Sequence, residues 1–271
     1  MTTTIHNNIL QGTEEWLALR RGLVTASSVG QLLSVGTLGA EEFDCPTCEA
    51  GAGDPCQSTR MPFAPIKTMH PARNQRARDA GITTIAPAKT PEAKTFTMLL
   101  AAERITGWSD PVYISDDMWR GIDDEPRARD KYAEHYAPVQ ECGFMTEDCF
   151  GFTVGYSPDG LVGDDGLIEI KSRRAKAQLA TILADKVPAA NMAQLQCGLL
   201  VSGRDWIDYV SYCGGMPLWV KRVTPQQEWF DAIVGAVQAF EDAANTIIGT
   251  YSARVADLHP TERTTELEIR I

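Results

Sequence analysis

Two carboxylates and one lysine fall around two predicted strands in the middle of the chain. Asp159 follows the first predicted strand, and Glu169 and Lys171 lie in the second, over 166–171. Alternate residues of a strand share a face, so Glu169 and Lys171 point the same way while Ile170 points into the core. Turn residues between the strands allow Asp159 to lie beside Glu169. The sequence therefore predicts that three charged side chains converge on one point.

Such a set suits metal-assisted hydrolysis. The carboxylates of Asp159 and Glu169, with the carbonyl oxygen of Ile170, are the hard ligands that Mg²⁺ or Mn²⁺ takes. Lys171 could orient or deprotonate a water molecule, which predicts metal-dependent phosphodiester hydrolysis. The alternative is a turn aspartate followed by an ordinary amphipathic strand.

Length and composition limit the class of protein. With 271 residues, 44% of them hydrophobic, the chain can bury a full core, and we expect one main domain with an insertion. The chain has no apolar run of about 18 residues, so no membrane helix is predicted. The amino terminus lacks the features of a signal peptide, which predicts a cytoplasmic location. A net charge of −11 disfavours non-specific coating of DNA but allows a local basic channel.

The pattern of apolar and polar residues predicts a mixed α/β fold, in which helices flank a central mixed β-sheet. Helices are predicted near residues 13–21, 25–33, 90–106, 115–136, 173–184, 188–202 and 224–249. Strands are predicted near residues 139–144, 149–157, 166–171, 206–212 and 217–223.

A cysteine-rich stretch interrupts this pattern. The chain has seven cysteines, an odd number that argues against a disulfide framework. Cys45, Cys48, Cys56 and His70 have the spacing C-x2-C-x7-C-x13-H, which can close a tetrahedral structural zinc site. The stretch has few large apolar residues, so a metal would supply its stability. His70 is the ligand that the spacing determines least, because several loop conformations could bring it to the cysteines. The alternative to a zinc site is a set of reduced cysteines in a loose loop.

The most basic stretch of the chain follows these cysteines. We hypothesise that it touches the DNA backbone, the alternative being a protein-contact or purely structural insert. Its cations are Arg60, Lys67, Arg73, Arg76 and Arg78.

Four blocks of sequence carry a family resemblance. They read WLALRRGLVTAS (16–27), RGIDDEPRAR (120–129), SPDG (157–160) with EIK (169–171), and MAQLQ (192–196) followed by VSG (201–203). Occurring in this order, they resemble the lambda-exonuclease, or YqaJ-type viral recombinase, branch of the PD-(D/E)xK nucleases, over residues 10 to 250 outside the insertion. The insertion resembles small zinc-binding modules of actinobacterial phage proteins.

The resemblance implies roles for the metal-binding end of a site. Asp159 and Glu169 match the metal-binding carboxylates, and Lys171 matches the lysine that positions or activates water. Glu125 matches a helix-borne glutamate that completes the metal site, although its acid-rich run could equally be a solvated helix face. Gln194 matches a glutamine that lines the centre. Gln196, two residues further along the helix, should point elsewhere.

Two further matches imply a phosphate site. Arg20 and Ser27 match residues that hold the 5′-phosphate of the digested strand. Arg20 could instead offset a helix dipole, and Ser27 could be a capping or solvated hydroxyl. Trp16 is expected to be a core residue rather than a base-stacking platform.

The resemblance also implies an organisation into four parts. Residues 1–36 would be amino-terminal helices of the nuclease domain and 37–88 the zinc-binding insertion. Residues 89–250 would be the PD-(D/E)xK nuclease core, and 251–271 a carboxy-terminal tail.

The expected activity is that of a Mg²⁺-dependent 5′→3′ exonuclease on double-stranded DNA ends, with a structural Zn²⁺ in the insertion. It would leave 3′ overhangs for phage recombination by single-strand annealing, in the cytoplasm of the host cell. A homotrimer and a single-strand annealing protein as partner are implied by the resemblance alone. The alternatives are a restriction-like or Cas4-like endonuclease and a non-catalytic zinc- and DNA-binding accessory protein.

Overall fold

A computed structural model describes residues 3–111 and 113–263. Its helices are α1 (Glu14–Arg20), α2 (Pro71–Ala80), α3 (Pro91–Thr106), α4 (Asp116–His135), α5 (Ala175–Ala184), α6 (Ala189–Ser202) and α7 (Gln227–Arg254). Its strands are β1 (Thr4–His6), β2 (Val24–Thr25), β3 (Leu33–Thr37), β4 (Thr83–Pro87), β5 (Phe144–Glu147), β6 (Val154–Tyr156), β7 (Gly160–Val162), β8 (Gly166–Ser172), β9 (Trp206–Tyr212) and β10 (Trp219–Val223).

The predicted α/β class with mixed strand pairing is confirmed. The main strands form two four-stranded sheets, with orders β1-β5-β6-β2 and β10-β9-β8-β7. In each sheet one pair is parallel, β2 with β6 and β8 with β9, and the other pairs are antiparallel. The chain passes from the first sheet to the second through the short turn between β6 and β7. Asp159 lies in that turn, so the junction of the two sheets positions the site.

Strand β8 is buried on both of its faces. Ile168 and Ile170 pack in one hydrophobic cluster with Ala128 and Tyr132 of α4. Leu167, on the opposite face, joins the larger cluster that contains residues of α3, α6 and α7. Burial on both faces is typical of a parallel strand that helices cover on both sides. The alternation predicted for β8 is therefore present, with Ile170 in the core.

Several predicted elements agree with the structure and four do not. Helix α1 begins after its predicted cap, Thr13, and α3 after Thr90. The helix predicted over 25–33 is wrong: the chain forms β2, a short 3₁₀ turn at Val29–Leu32 and then β3. The hydroxyl of Ser28 accepts the backbone N–H of Thr25 and bonds to its carbonyl oxygen, which competes with helix formation.

The other three differences concern element ends. The strand predicted near 149–157 covers only Val154–Tyr156. The strand predicted at 139–144 begins only at Phe144, and Gln140 instead forms an isolated bridge with Leu161. The last helix begins at Gln227 rather than at Thr224, and it continues to Arg254. The predicted tail, 251–271, is therefore helical at its start, and residues 264–271 lie outside the described residues.

A two-stranded ribbon carries the cysteine-rich stretch. Strands β3 and β4 pair antiparallel from Leu33↔Pro87 to Thr37↔Thr83. Strand β4 packs against α7, which attaches the ribbon to the main body. The domain boundaries at 37 and 88 stay a prediction. The part of the chain that the structure describes contains no helix long and apolar enough to cross a membrane.

Candidate active site and candidate metal centre

A cleft of about 470 Å³ lies at the junction of the two sheets. Residues of α1, α4, β8 and α6 and of the turn after β6 surround it. Every residue predicted for catalysis or phosphate binding lines it: Arg20, Ser27, Glu125, Asp159, Glu169, Ile170, Lys171 and Gln194.

Three side chains of the cleft donate hydrogen bonds to Glu169. Its carboxylate is buried, and Oε1 accepts hydrogen bonds from the ammonium of Lys171 at 2.7 Å and from the side-chain amide of Gln194. The hydroxyl of Tyr156 donates to Oε2 at 3.1 Å. Tyr156 was not predicted, although its place at the end of the strand before Asp159 is a usable signal. Three donors from three elements therefore fix this carboxylate.

Asp159 is held by the backbone of the neighbouring strand. Its Oδ2 accepts the N–H of Ile170 at 2.6 Å. The guanidinium of Arg129 donates to the carbonyl oxygen of Asp159 at 2.9 Å and also pairs with Glu125. Sequence reasoning gave Arg129 no role, although its spacing four residues after Glu125 on α4 is a signal for such a pair. Arg129 thus ties α4 to the turn that carries Asp159.

The carboxylates repel one another. Burial raises the pKa of Asp159 well above its usual range, and the charges of Glu169 and Glu125 add to this. Burial also raises the pKa of Glu125, against the effect of Arg129. Burial acts to lower the pKa of Lys171, but the charges of Glu169 and Asp159 outweigh it and raise that pKa. The cleft therefore holds three carboxyl groups whose ionised forms disfavour one another.

This donor set fits a divalent cation. Three carboxylates and a backbone carbonyl supply the hard oxygen ligands that Mg²⁺ or Mn²⁺ prefers. A cation would also relieve the repulsion that raises the pKa of Asp159. The chemistry of these oxygen atoms thus suits the metal that the sequence predicts. Among the described His, Cys, Asp and Glu residues, however, only Cys45, Cys48, Cys56 and His70 bring three or more ligating atoms within 4.8 Å of one another.

The other end of the cleft carries a positive charge. The guanidinium of Arg20 lies 4.0 Å from the ring centre of Trp16 and donates to the hydroxyls of Ser157 at 3.2 Å and Ser27 at 3.3 Å. No carboxylate among the described residues pairs with it. Burial lowers the pKa of Arg20 to about 10, so it remains a cation at neutral pH. The arrangement leaves its charge available to an anion.

Two neutral side chains support Arg20. The indole N–H of Trp16 donates to the hydroxyl of Ser157 at 2.9 Å. Trp16 is half-buried and lines the cleft, so the expectation that it is a core residue is wrong. Ser157 was not predicted, although it opens the SPDG motif. Gln196 turns away from the cleft and bonds to the backbone of Thr224 and Gln226.

The four predicted zinc ligands also come together. The ligating atoms of Cys45, Cys48, Cys56 and His70 all lie within 4.8 Å of one another. Burial acts to raise the pKa of Cys56, but hydrogen bonds from the backbone of His70 and other neighbours lower it to about 6. Such a thiol is ionised at neutral pH, as metal ligation requires.

Arg73 does not face the solvent. It is fully buried beside Cys56, so its proposed contact with the DNA backbone is wrong. The other four cations of the basic stretch are exposed: Arg60, Lys67, Arg76 and Arg78.

Two known families match overlapping parts of the chain. Residues 75–205 match the YqaJ-like viral recombinase domain, and residues 13–94 match a putative DNA-binding phage zinc finger domain. Residues 75–205 are therefore similar to YqaJ-like viral recombinase domains. The resemblance seen in the sequence blocks is thereby confirmed. No curated protein sequence matches the chain.

Solved structures support the same conclusion. An alkaline exonuclease, LHK-Exo, from Laribacter hongkongensis is 26% identical with a TM-score of 0.64, over 91% of this chain and 100% of that one. The structure of LHK-Exo in complex with dAMP matches over the same shares, with 26% identity and a TM-score of 0.65. These likenesses support a nuclease, of the exonuclease type, that acts in recombination.

Replacing Asp159 by asparagine is expected to stabilise the protein in magnesium-free buffer. A carboxyl whose pKa is raised on folding makes the free energy of unfolding fall as pH rises above about 4, the pKa in the unfolded chain. The uncharged side chain in Asp159→Asn does not ionise, so the free energy of unfolding of this variant should not fall in the same way as pH rises. Its melting temperature should therefore exceed that of wild type, by about 2–4 °C per kcal/mol of relieved repulsion. Thermal unfolding between pH 5 and 8 measures this.

The matched control is Asp257→Asn, an exposed position after α7 that should leave the melting temperature unchanged. Added Mg²⁺ should raise the melting temperature of wild type and have little effect on Asp159→Asn. Equal melting curves for wild type and Asp159→Asn at every pH would show that the carboxylates do not repel one another.

Proposed function

We propose that this protein is a divalent-metal-dependent 5′→3′ exonuclease that degrades one strand of linear double-stranded DNA. One observation carries the proposal: a single cleft joins the buried carboxylate of Glu169 and two half-buried carboxylates to a cation that has no ion-pair partner among the described residues. A nucleic-acid end presents the complementary groups, a scissile phosphodiester and a terminal phosphate.

The carboxylate end would perform hydrolysis. The carboxylates of Glu125, Asp159 and Glu169 and the carbonyl oxygen of Ile170 would hold Mg²⁺ or Mn²⁺. The bound metal would polarise the phosphate and lower the pKa of a water molecule. Lys171, 2.7 Å from Glu169, would orient the attacking water, while Gln194 and Tyr156 keep the Glu169 carboxylate in place.

The cationic end would select the strand terminus. Arg20 offers a planar fork to phosphate oxygens, and the hydroxyl of Ser27 adds a donor. Trp16 and Ser157 hold Arg20 towards the cleft. A 5′-phosphate bound there would leave the first phosphodiester near the carboxylates, so the product would be a mononucleotide. The complex of LHK-Exo with dAMP supports a mononucleotide product.

The cysteine cluster would hold a structural zinc ion. Three thiolates and one imidazole fill a tetrahedral shell and leave no position for substrate. The insertion would meet the DNA backbone through its exposed cations, Arg60, Lys67, Arg76 and Arg78. The description of the matching phage domain as DNA-binding supports this role.

The wider setting rests on the resemblance alone. We propose that the product is a 3′ overhang for phage recombination by single-strand annealing, with an annealing protein as partner. A homotrimer around the DNA and a location in the host cytoplasm belong to the same proposal.

Digestion of a linear duplex tests the activity and its direction. With Mg²⁺ present, a label at the 5′ end should be released early and a label at the 3′ end late. Asp159→Asn should lower the rate by at least ~10³-fold because it removes a charged metal ligand. Early release of the 3′ label would contradict the proposed direction, and nicking of closed circles would indicate an endonuclease instead.

Arg20→Ala should abolish the preference for phosphorylated ends. Charge-assisted hydrogen bonds contribute about 1.5–3 kcal/mol, so wild type should digest 5′-phosphorylated ends roughly 10- to 100-fold more efficiently than 5′-hydroxyl ends. The measurement is kcat/KM on both substrates. Arg21→Ala is the control, because Arg21 pairs with Glu14 instead of facing the cleft. An Arg20→Ala enzyme that keeps the full preference would show that the phosphate binds elsewhere.

A further inference from the structure

Helix α2 lacks the features that hold most helices in place. Among its ten residues only Arg73 and Ala77 are buried, and no side chain caps its first turn. An isolated helix of this length is not stable in water, and most helices are held by an apolar face. Something other than hydrophobic packing must therefore fix α2.

The buried guanidinium of Arg73 supplies that anchor. Its side chain has no exposed surface, and its donors reach four backbone carbonyls at 2.7–3.0 Å and one thiol sulfur at 3.5 Å. The acceptors are the carbonyl oxygens of Glu41, Phe43, Gly51 and Asp54 and the Sγ of Cys56. Five acceptors match the five N–H donors of a guanidinium. One side chain thus joins α2 to the loops that carry the cysteines.

None of these acceptors is a carboxylate, although a buried cation requires a countercharge. The nearest source is the cluster itself, since the Cys56 sulfur is in contact with Arg73. Three thiolates and a neutral imidazole around a divalent cation leave a net charge of −1. Arg73 supplies the +1 that makes the buried centre neutral.

We propose that Arg73 is a positioning residue of the metal centre, which balances its charge and makes the folding of α2 depend on the metal. His70, the fourth ligand, is the residue immediately before α2, and Arg73 lies in its first turn. Metal binding therefore fixes both ends of that turn. The exposed Arg76 and Arg78 of the same helix are held in position only when the metal is bound.

This inference rests on the proposed metal binding by Cys45, Cys48, Cys56 and His70, which metal analysis of the purified full chain tests separately. The probe is Co²⁺, whose absorption reports tetrahedral thiolate ligation. Its affinity is measured by chelator competition, and hydrogen exchange of residues 71–80 reports the folding of α2.

Arg73→Met should weaken Co²⁺ binding by at least ~10-fold, the effect of losing a supporting contact to metal ligands. It should also remove the exchange protection of α2 in the presence of metal. Arg73→Lys keeps the charge but cannot reach five acceptors, so it should be intermediate in both measurements. Arg76→Met is the matched control, since the exposed Arg76 makes only one long contact, 3.4 Å to the carbonyl of Asp44. It should behave as wild type.

Three results would overturn the proposal. Wild-type Co²⁺ affinity and α2 protection in Arg73→Met would show that the guanidinium is dispensable. If Arg73→Met fails to fold, Arg73→Lys takes its place. Wild-type Co²⁺ affinity and α2 protection in Arg73→Lys would then show that the guanidinium is dispensable. Full protection of α2 in metal-free wild type would show that the helix does not depend on the metal. A wild-type chain that binds neither Zn²⁺ nor Co²⁺ would instead refute the metal centre itself.

Discussion

The repulsion among the carboxylates of the cleft, of which Glu169 is buried and Asp159 and Glu125 are half-buried, is the constraint on which the rest of the structure depends. Asp159 lies beside Glu169 and Glu125 in a place that water reaches poorly, and burial with like charge raises its pKa. Such a cluster is unfavourable by itself and persists only because surrounding groups hold it. Lys171, Tyr156 and Gln194 hold Glu169, and Arg129 connects the helix of Glu125 to the turn of Asp159. A divalent cation bound among these groups would offset this unfavourable charge.

The two ends of the cleft have opposite electrostatic characters, and the fold separates them. The acidic end is built on β8, which helices cover on both faces and which therefore permits little movement. The basic end is built on the short helix α1, whose half-buried Arg20 is held by Trp16 and Ser157. A substrate with a terminal charge and an internal phosphodiester fits both ends at once. This polarity favours an exonuclease over an enzyme that cuts within a strand.

Periodicity predicted the acidic end well, because strand alternation fixes the relation of Glu169 to Lys171 and of both to Ile170. Helical spacing likewise separated Gln194 from Gln196. The sequence could not predict the course of 25–33, because the pairing of β2 with a strand about 130 residues away decides it. Arg73 was misplaced for a related reason. A run of cations predicts a solvated surface, and only the carbonyl groups of two distant loops make a buried guanidinium stable.

The most direct test of this account is a crystal of the protein soaked in Mn²⁺, with anomalous scattering measured at the manganese edge. The account predicts a manganese peak in the cleft, bound by the carboxylates of Asp159 and Glu169 and the carbonyl oxygen of Ile170. Glu125 should lie close enough to complete the site. A soaked crystal in which these groups bind no manganese, with the peak elsewhere or absent, would contradict the account.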